Sequence, residues 1–185
     1  AQVSGCTAVA SCLGHTLSLK GMYGQPRGLC TDAVKRLTSA IESNKPSEKV
    51  KFVLMNSAGV SNQGLDESKK VGWAQWSMIG IIRTLVPPHG DNERAAEFLR
   101  ASIADKNEYV EWSVVRPDSL LDATDITGYT SHVSPLSDPI FNPGKVTRIN
   151  VAAFMADLIV NKDGVFGEWK YQMPVLYNEA DHPKK

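Results

Sequence analysis

The segment Lys51–Gly59 (KFVLMNSAG) decides the fold class of this 185-residue chain. Its first part, Lys51–Asn56, is a short and nearly continuous apolar run, and small residues follow it directly. A run without polar alternation is typical of a strand that is covered on both faces, as in a parallel sheet. Further runs of the same character are Thr7–Leu13, Glu111–Arg116 and Met173–Tyr177. We predict that the four strands are consecutive neighbours in one parallel sheet.

Helical patterns separate the predicted strands. Apolar residues recur at helical spacing in Asp32–Ser43, Asn92–Ala104 and Val151–Val160. Thr31 and Asp91 stand where the N-caps of the first two helices are expected. Strands that alternate with helices of this length indicate βαβ units. The sequence therefore predicts an α/β fold with a doubly wound parallel sheet, and a single domain over residues 1–185.

Two other segments are unlike the rest. Val71–Val86 is apolar on nearly every side, but it is too short for a membrane span and is interrupted by Arg83. It is interpreted either as a helix buried under neighbouring elements or as a surface for a protein partner or a membrane interface. Asp118–Lys145 is rich in turn-forming residues, and we predict a long irregular loop of the kind that often covers a ligand.

Composition excludes some functions. Lys and Arg number 20, as do Asp and Glu, so the chain has no net charge, which removes the main electrostatic reason to expect nucleic-acid binding.

The cysteines indicate the redox compartment. Their number, three, is odd and their spacing is not paired, which argues against a disulfide framework. We therefore expect a reducing compartment, either the cytoplasm or an organelle interior such as the plastid stroma or the mitochondrial matrix. The histidines have no ligand spacing to Cys, Asp or Glu, so no metal site is predicted.

The loops after three predicted strands, residues 11–16, 55–59 and 115–119, form the candidate ligand site. Ligands of doubly wound sheets bind outside the carboxyl ends of the strands. Gly14, Ser57 and Ala58 are small enough to let a flat ring or a ribose approach the backbone. Because neighbouring parallel strands end at the same edge, about 4.8 Å apart, we expect Gly14, Ser57 and Pro117 to line one common cleft.

Several stretches of the sequence resemble one family of proteins. Ala8–Thr16, Phe52–Val60 and Trp112–Ser119 look like the fourth, fifth and sixth strands of the atypical short-chain dehydrogenase/reductases. Val146–Ile159 resembles the late strand and helix of that family, and Glu97–Ser102 fits the helix before the sixth strand. The pattern is similar to that of NAD(P)-binding proteins of the NmrA-like and biliverdin-reductase-B-like kind.

This resemblance implies a Rossmann-like domain that binds NADP or NAD across the carboxyl ends of its strands. The implied cofactor-binding residues are Cys12, Leu13, Gly14, His15, Asn56, Ser57, Ala58, Arg116 and Pro117. Ser57 is also the implied catalytic residue, with its hydroxyl near the nicotinamide or the substrate. Arg116 and Pro117 are expected mainly to fix the geometry between strand and loop, while Lys145–Val151 and the loop from Asp118 would shape the substrate pocket. The implied function is that of an NAD(P)H-binding oxidoreductase-like protein of unknown substrate.

The chain departs from the family at two places. It has no counterpart of the glycine-rich phosphate-binding turn after the family's first strand. We expect that portion, roughly 70 residues by analogy with the mononucleotide-binding half of the fold, to precede Ala1. The family's catalytic Tyr, with a Lys four residues later, is also missing, and His89 and Glu93 stand at the corresponding helix. Two functions stay open: an oxidoreductase, or a non-catalytic structural or regulatory subunit of a larger, membrane-associated organellar complex.

Overall fold

The computed structural model describes residues 3–16, 18–62, 87–137 and 142–181. The apolar segment Val71–Val86 lies outside these ranges, so its helix and its role as a surface for a partner stay predictions. Within the described ranges, no helix combines the length and the apolar character needed to cross a lipid bilayer.

Strands and helices alternate along the chain. In order they are β1 (Ala8–Ser11), α1 (Leu19–Tyr23), α2 (Leu29–Asn44), β2 (Val50–Met55), α3 (Pro87–Glu97), β3 (Val110–Pro117), β4 (Ser119–Leu121), β5 (Tyr129–His132), β6 (Lys145–Thr147), α4 (Arg148–Val160), α5 (Val165–Trp169) and β7 (Val175–Asn178). A π-helical turn, Phe98–Ile103, continues α3, and the 3₁₀ turns Lys162–Gly164 and Glu179–Asp181 follow α4 and β7.

One sheet of five strands has the order β1-β2-β3-β7-β5. Its first four strands are parallel, with Ser11 opposite Leu54, Met55 opposite Val115 and Arg116 opposite Val175. The prediction of four consecutive parallel strands is therefore confirmed, and with it the doubly wound α/β class.

The edge strand β5 was not predicted. It pairs with β7 in the antiparallel direction, and β4 and β6 form a separate two-stranded parallel sheet. The prediction of an irregular loop over Asp118–Lys145 is thus wrong in part, because β4, β5 and the first residue of β6 lie within it. β4 and β5 are three and four residues long and contain no fully buried residue, so no apolar run marks them in the sequence.

The sheet is covered on both faces. Along β2, Phe52 and Leu54 pack into a core cluster that includes Val34 of α2. The residue between them, Val53, packs into a second cluster with Leu158 of α4. Successive side chains of a strand point to opposite faces, so a continuous apolar run is what a doubly covered strand requires. This two-sided core is the physical reason why the apolar runs predicted a parallel sheet.

Two predicted helix caps are wrong. The helix predicted over Asp32–Ser43 is α2, which begins earlier, at Leu29, with Gly28 as its N-cap. Thr31 therefore lies inside the first turn. Asp91 does not cap the following helix either, because α3 begins at Pro87. The local sequence misleads here because the capping side chain of α2 comes from α3.

The helix predicted over Val151–Val160 is confirmed as α4. It begins at Arg148, and the hydroxyl of its N-cap Thr147 accepts the N–H of Asn150 at 3.3 Å. The predicted apolar stripe faces the sheet: Phe154, Met155 and Leu158 are buried, and Ile159 is half-buried.

Candidate functional site

The loops after β1, β2 and β3 lie at one edge of the sheet, because the three strands are parallel neighbours. Backbone hydrogen bonds join the second loop to the third strand. The N–H of Asn56 donates to the carbonyl oxygen of Val115 at 2.8 Å, and the N–H of Ala58 donates to that of Pro117 at 2.9 Å. The carboxyl ends of β2 and β3 are thus fixed side by side.

The turn after β2 holds Ser57 in a defined position. The side-chain oxygen of Asn56 accepts the N–H of Ser57 at 2.9 Å, and the carbonyl of Ser57 accepts the N–H of Val60 at 3.0 Å. The hydroxyl oxygen of Ser57 accepts the N–H of Gly59 at 3.3 Å. Ser57 is half-buried, whereas its neighbour Ala58 is buried. The hydroxyl therefore stands at the sheet edge, in a turn that these hydrogen bonds hold together.

Arg116 is fully buried at the end of β3. Its guanidinium donates to three carbonyl oxygens: Nε to Met173 at 2.7 Å, Nη1 to Val60 at 2.8 Å and Nη2 to Val133 at 2.9 Å. One cation thereby ties the turn after β2 to the residues before β7 and after β5. Pro117, also buried, ends β3. These contacts are with the backbone, and direct contact of Arg116 and Pro117 with a cofactor stays a prediction.

The loop after β1 is more open. Cys12, Leu13 and Gly14 are exposed, and Leu13 is 47% accessible. No atom of the described residues lies within 4 Å of the position that a Cβ on Gly14 would take. Within the part of the chain that the structure describes, the backbone at Gly14 therefore borders open space, which suits the close approach of a ligand.

His15 folds back from the same loop onto α3. Its Nε2 lies 2.9 Å from Oδ2 of Asp91, and its Nδ1 lies 3.2 Å from the carbonyl oxygen of Gly21. The buried carboxylate of Asp91 also accepts the N–H of Cys30 at 2.7 Å, the N–H of Thr31 at 3.2 Å and the Thr31 hydroxyl at 2.6 Å. A carboxylate at a helix N-terminus satisfies unpaired N–H groups and compensates the positive end of the helix. Asp91 of α3 is thus a cap of α2.

This environment shifts two pKa values. Burial by itself would raise the pKa of Asp91, but the hydrogen bonds from Thr31, His15 and the backbone N–H groups outweigh it and lower that pKa below its ordinary value. Burial, together with the nearby Asp91 carboxylate, raises the pKa of the Cys30 thiol to about 12. The thiol therefore stays protonated at neutral pH and donates to the carbonyl oxygen of Leu13 at 3.3 Å.

The same cluster joins ligand types that zinc uses. One side-chain atom each of His15, Cys30 and Asp91 lies within 4.8 Å of the other two. The residues are too far apart in sequence for any spacing to show this. Each of these atoms already has a hydrogen-bond partner, so capping accounts for the cluster. The expectation that the chain has no metal site stays a prediction.

Helix α3 connects the loops after β1 and β2. Asp91 contacts the first loop, and the carbonyl oxygen of Asn92 accepts a side-chain N–H of Asn56 in the second at 3.0 Å. His89 lies beside Gly59: its Cε1 is 3.5 Å from the position that a Cβ on Gly59 would take. The sequence analysis placed His89 at the helix that corresponds to the family's catalytic Tyr and Lys. No pattern in the sequence shows, however, that its imidazole reaches the turn after β2.

Buried amides shape the region where the resemblance puts the substrate. Oδ1 of Asn178 accepts the N–H of Thr147 at 3.1 Å and a side-chain N–H of Asn150 at 2.8 Å. Oδ1 of Asn150 accepts the N–H of Thr127 at 2.9 Å. This network joins β6 and α4 to the end of β7, so the segment Lys145–Val151 is held at the carboxyl edge of the parallel sheet.

A groove of about 310 Å³ lies beside α3, and its lining includes Val60, Ser61, Glu93, Glu97 and Met173. No candidate cofactor-binding residue lines it. The common cleft predicted for Gly14, Ser57 and Pro117 is a different place and stays a prediction.

Solved structures share the fold. An oxidoreductase from Lactococcus lactis has a TM-score of 0.58 at 15% identity, with 96% of this chain and 64% of that chain covered. A short-chain dehydrogenase/reductase from Veillonella parvula in complex with NADP has a TM-score of 0.56 at 14% identity, with 97% and 66% covered. A Rossmann-fold NAD(P)-binding family protein from Shigella flexneri has a TM-score of 0.56 at 18% identity, with 99% of this chain and 66% of that chain covered. The chain thus spans less than two thirds of the length of each, and at these identities the likeness concerns the fold.

Among curated proteins, none matches this sequence. A family of sequences described as NAD(P)H-binding matches residues 1–162, a range that includes β1, β2, β3 and all three candidate loops. The resemblance to NAD(P)-binding proteins of the Rossmann fold is therefore confirmed. The chain belongs to the NAD(P)H-binding family.

Proposed function

We propose that this chain binds NAD(P)H along the loops after β1, β2 and β3 and functions as an oxidoreductase. The residues proposed to contact the dinucleotide are Cys12, Leu13, Gly14, His15, Asn56, Ser57, Ala58, Arg116 and Pro117. The observation that carries the proposal is the meeting of these loops at one sheet edge, in a member of an NAD(P)H-binding family. Ligands of doubly wound sheets bind at this edge.

The described residues suggest separate roles. The open backbone at Gly14 would let the dinucleotide lie close to the chain. The half-buried hydroxyl of Ser57 would orient the substrate or the nicotinamide ring at the end of β2. Buried Arg116 would keep the turn after β2 in place through its bond to Val60. Bound NAD(P)H supplies the hydride, and the protein holds it against the substrate.

We further propose that residues 1–185 form one domain in a reducing compartment, the cytoplasm or the interior of a plastid or mitochondrion. The continuous sheet from β1 to β5, with a core on both faces, supports one domain. Cys6, Cys12 and Cys30 are free cysteines, which supports a reducing compartment. The alternative role as a structural subunit has no support among the described residues, and the surface on which it depends, residues 71–86, lies outside them.

Titration of the full-length protein with NADPH and with NADH tests the proposal. NADPH comes first, because the Veillonella parvula protein of the same fold contains NADP. Ser57→Leu should weaken binding at least about tenfold, equivalent to roughly 1.4 kcal/mol, because a larger apolar side chain would occupy the ligand's place. The matched control is Ser39→Leu on the exposed face of α2, which should leave the affinity unchanged.

Two results would contradict the proposal in different ways. Equal affinity of the wild type, Ser57→Leu and Ser39→Leu would mean that the dinucleotide binds elsewhere. Binding of neither dinucleotide by the folded, full-length wild-type protein would contradict the function itself.

A further inference from the structure

Two proton-carrying side chains flank the same glycine after β2. A Cβ on Gly59 would lie 3.7 Å from the hydroxyl oxygen of Ser57, 3.5 Å from Cε1 of His89 and 3.9 Å from Nδ1 of His89. Hydroxyl and imidazole therefore converge on this turn from β2 and from α3. The side chain of His89 is 19% exposed, which leaves it a path to solvent.

Glu93 stands one helical turn after His89 on α3. Its Oε1 lies 3.5 Å from Nε2 of His89, an ion-pair distance between residues four apart. A carboxylate accepts hydrogen bonds only, so the contact directs the Nε2–H group of the ring toward Glu93. The other ring nitrogen, Nδ1, is then the one nearer to Gly59. This is the arrangement of a histidine held by an acidic residue so that it can exchange a proton on its opposite side.

The sequence contains no Tyr with a Lys four residues later. Reduction of a carbonyl consumes a proton, which a positioned side chain can donate. We propose that His89, positioned by Glu93, donates the proton in the reduction of a carbonyl substrate at the Ser57 turn. This proposal depends on the proposed function.

The step balances in atoms and electrons. Bound NAD(P)H would supply a hydride to the carbonyl carbon, and the electron pair of the C=O π bond would move to oxygen. A proton on Nδ1 of His89 would pass to that oxygen: the Nδ1–H bond would break as the O–H bond of the product alcohol forms. The products would be the alcohol, NAD(P)⁺ and a His89 ring that has lost one proton, and a proton from solution would replace it, so that the net reaction consumes one proton.

The test uses NADPH and para-nitrobenzaldehyde, an aldehyde that lacks a proton donor of its own. His89→Ala should lower kcat on the order of 100-fold or more, the usual contribution of general acid catalysis, with NADPH affinity unchanged. Added imidazole should restore part of the lost kcat. Glu93→Gln should lower kcat and leave the KM for the aldehyde unchanged. The control Arg36→Ala, on the exposed face of α2, should keep kcat and gain nothing from imidazole.

His89→Asn, which is closer in size, replaces His89→Ala if the alanine variant does not fold. Unchanged kcat in a folded His89 variant overturns the proposal, and so does a loss that imidazole fails to restore. A wild-type protein that binds NADPH but leaves the aldehyde unreduced also overturns it. Failure of the wild type to bind NADPH is a separate result, which contradicts the proposed function.

Discussion

Replacing Asp91 by Ala tests whether one side chain of α3 caps α2. The carboxylate of Asp91 is fully buried and accepts the N–H groups of Cys30 and Thr31, the Thr31 hydroxyl and the His15 ring. The N-cap of α2, Gly28, has no side chain to take its place. In Asp91→Ala the two N–H groups, on residues that are 2% and 6% exposed, lose their acceptor inside the protein.

The expected loss follows from these contacts. An unsatisfied buried donor costs about 1–3 kcal/mol, so two of them give roughly 2–6 kcal/mol. The Thr31 hydroxyl keeps its second acceptor, the carbonyl oxygen of residue 91, at 3.0 Å. We therefore expect Asp91→Ala to lower the free energy of unfolding by about 3 kcal/mol. Asp91→Asn, which keeps one oxygen but loses the charge at the helix terminus, should lower it by about 1–2 kcal/mol.

Urea unfolding, followed by the fluorescence of the buried Trp112 and Trp169, measures both losses. The dependence on urea concentration should keep its slope, while the midpoint falls. Asp32→Ala is the matched control: Asp32 lies in the first turn of the same helix but is exposed, and its loss should stay below about 0.5 kcal/mol. A loss below about 1 kcal/mol in Asp91→Ala, or one equal to that of Asp32→Ala, would refute the capping argument.

The pKa of Asp91 gives the same prediction a pH dependence. Because this pKa is lower in the folded protein than its ordinary value of 3.8, the charged form stabilises the fold. That contribution is complete at neutral pH and is lost as the pH falls below the ordinary value and through the folded one. The difference in unfolding free energy between the wild type and Asp91→Asn should therefore be constant above about pH 5 and shrink below about pH 4. A difference that grows on acidification would contradict this sign.

Two further predictions concern the core and the end of β3. Leu158→Ala should cost about 2–5 kcal/mol, since the side chain is fully buried, and the control Val160→Ala, at a position 70% exposed, should cost less than about 0.5 kcal/mol in the same unfolding assay. Arg116→Met leaves three carbonyl oxygens without their charged donor. Because each hydrogen bond to a charged group contributes about 1.5–3 kcal/mol, we expect the free energy of unfolding to fall by more than about 3 kcal/mol. The control Arg36→Met, on the exposed face of α2, should leave the free energy of unfolding nearly unchanged. A loss in Arg116→Met that matches Arg36→Met would show that these bonds do not stabilise the fold.

The sequence by itself determined those strands and helices whose buried residues follow a regular spacing along the chain. The apolar run of β2 is continuous because Phe52 and Val53 face opposite covered sides of the sheet. The apolar residues of α4 likewise predicted that helix and its buried face, since residues at helical spacing share a face. From these runs followed the parallel order of four strands, the edge at which their loops meet and the resemblance to an NAD(P)H-binding family. The exposed, short strand β5 left no such pattern.

Only the tertiary structure decided which side chains contact each other between segments that are distant in sequence. Asp91 caps a helix whose first turn lies 61 residues before it, and His15 reaches the same carboxylate across 76 residues. Arg116 serves carbonyl oxygens from three separate segments, and His89 meets the turn at Gly59. Hydrogen-bond partners are chosen by distance in space, and a carbonyl or an N–H group exists at nearly every residue. Local sequence therefore indicates whether a side chain is buried or polar. Its hydrogen-bond partner is determined only when the sheet and α3 bring distant segments together.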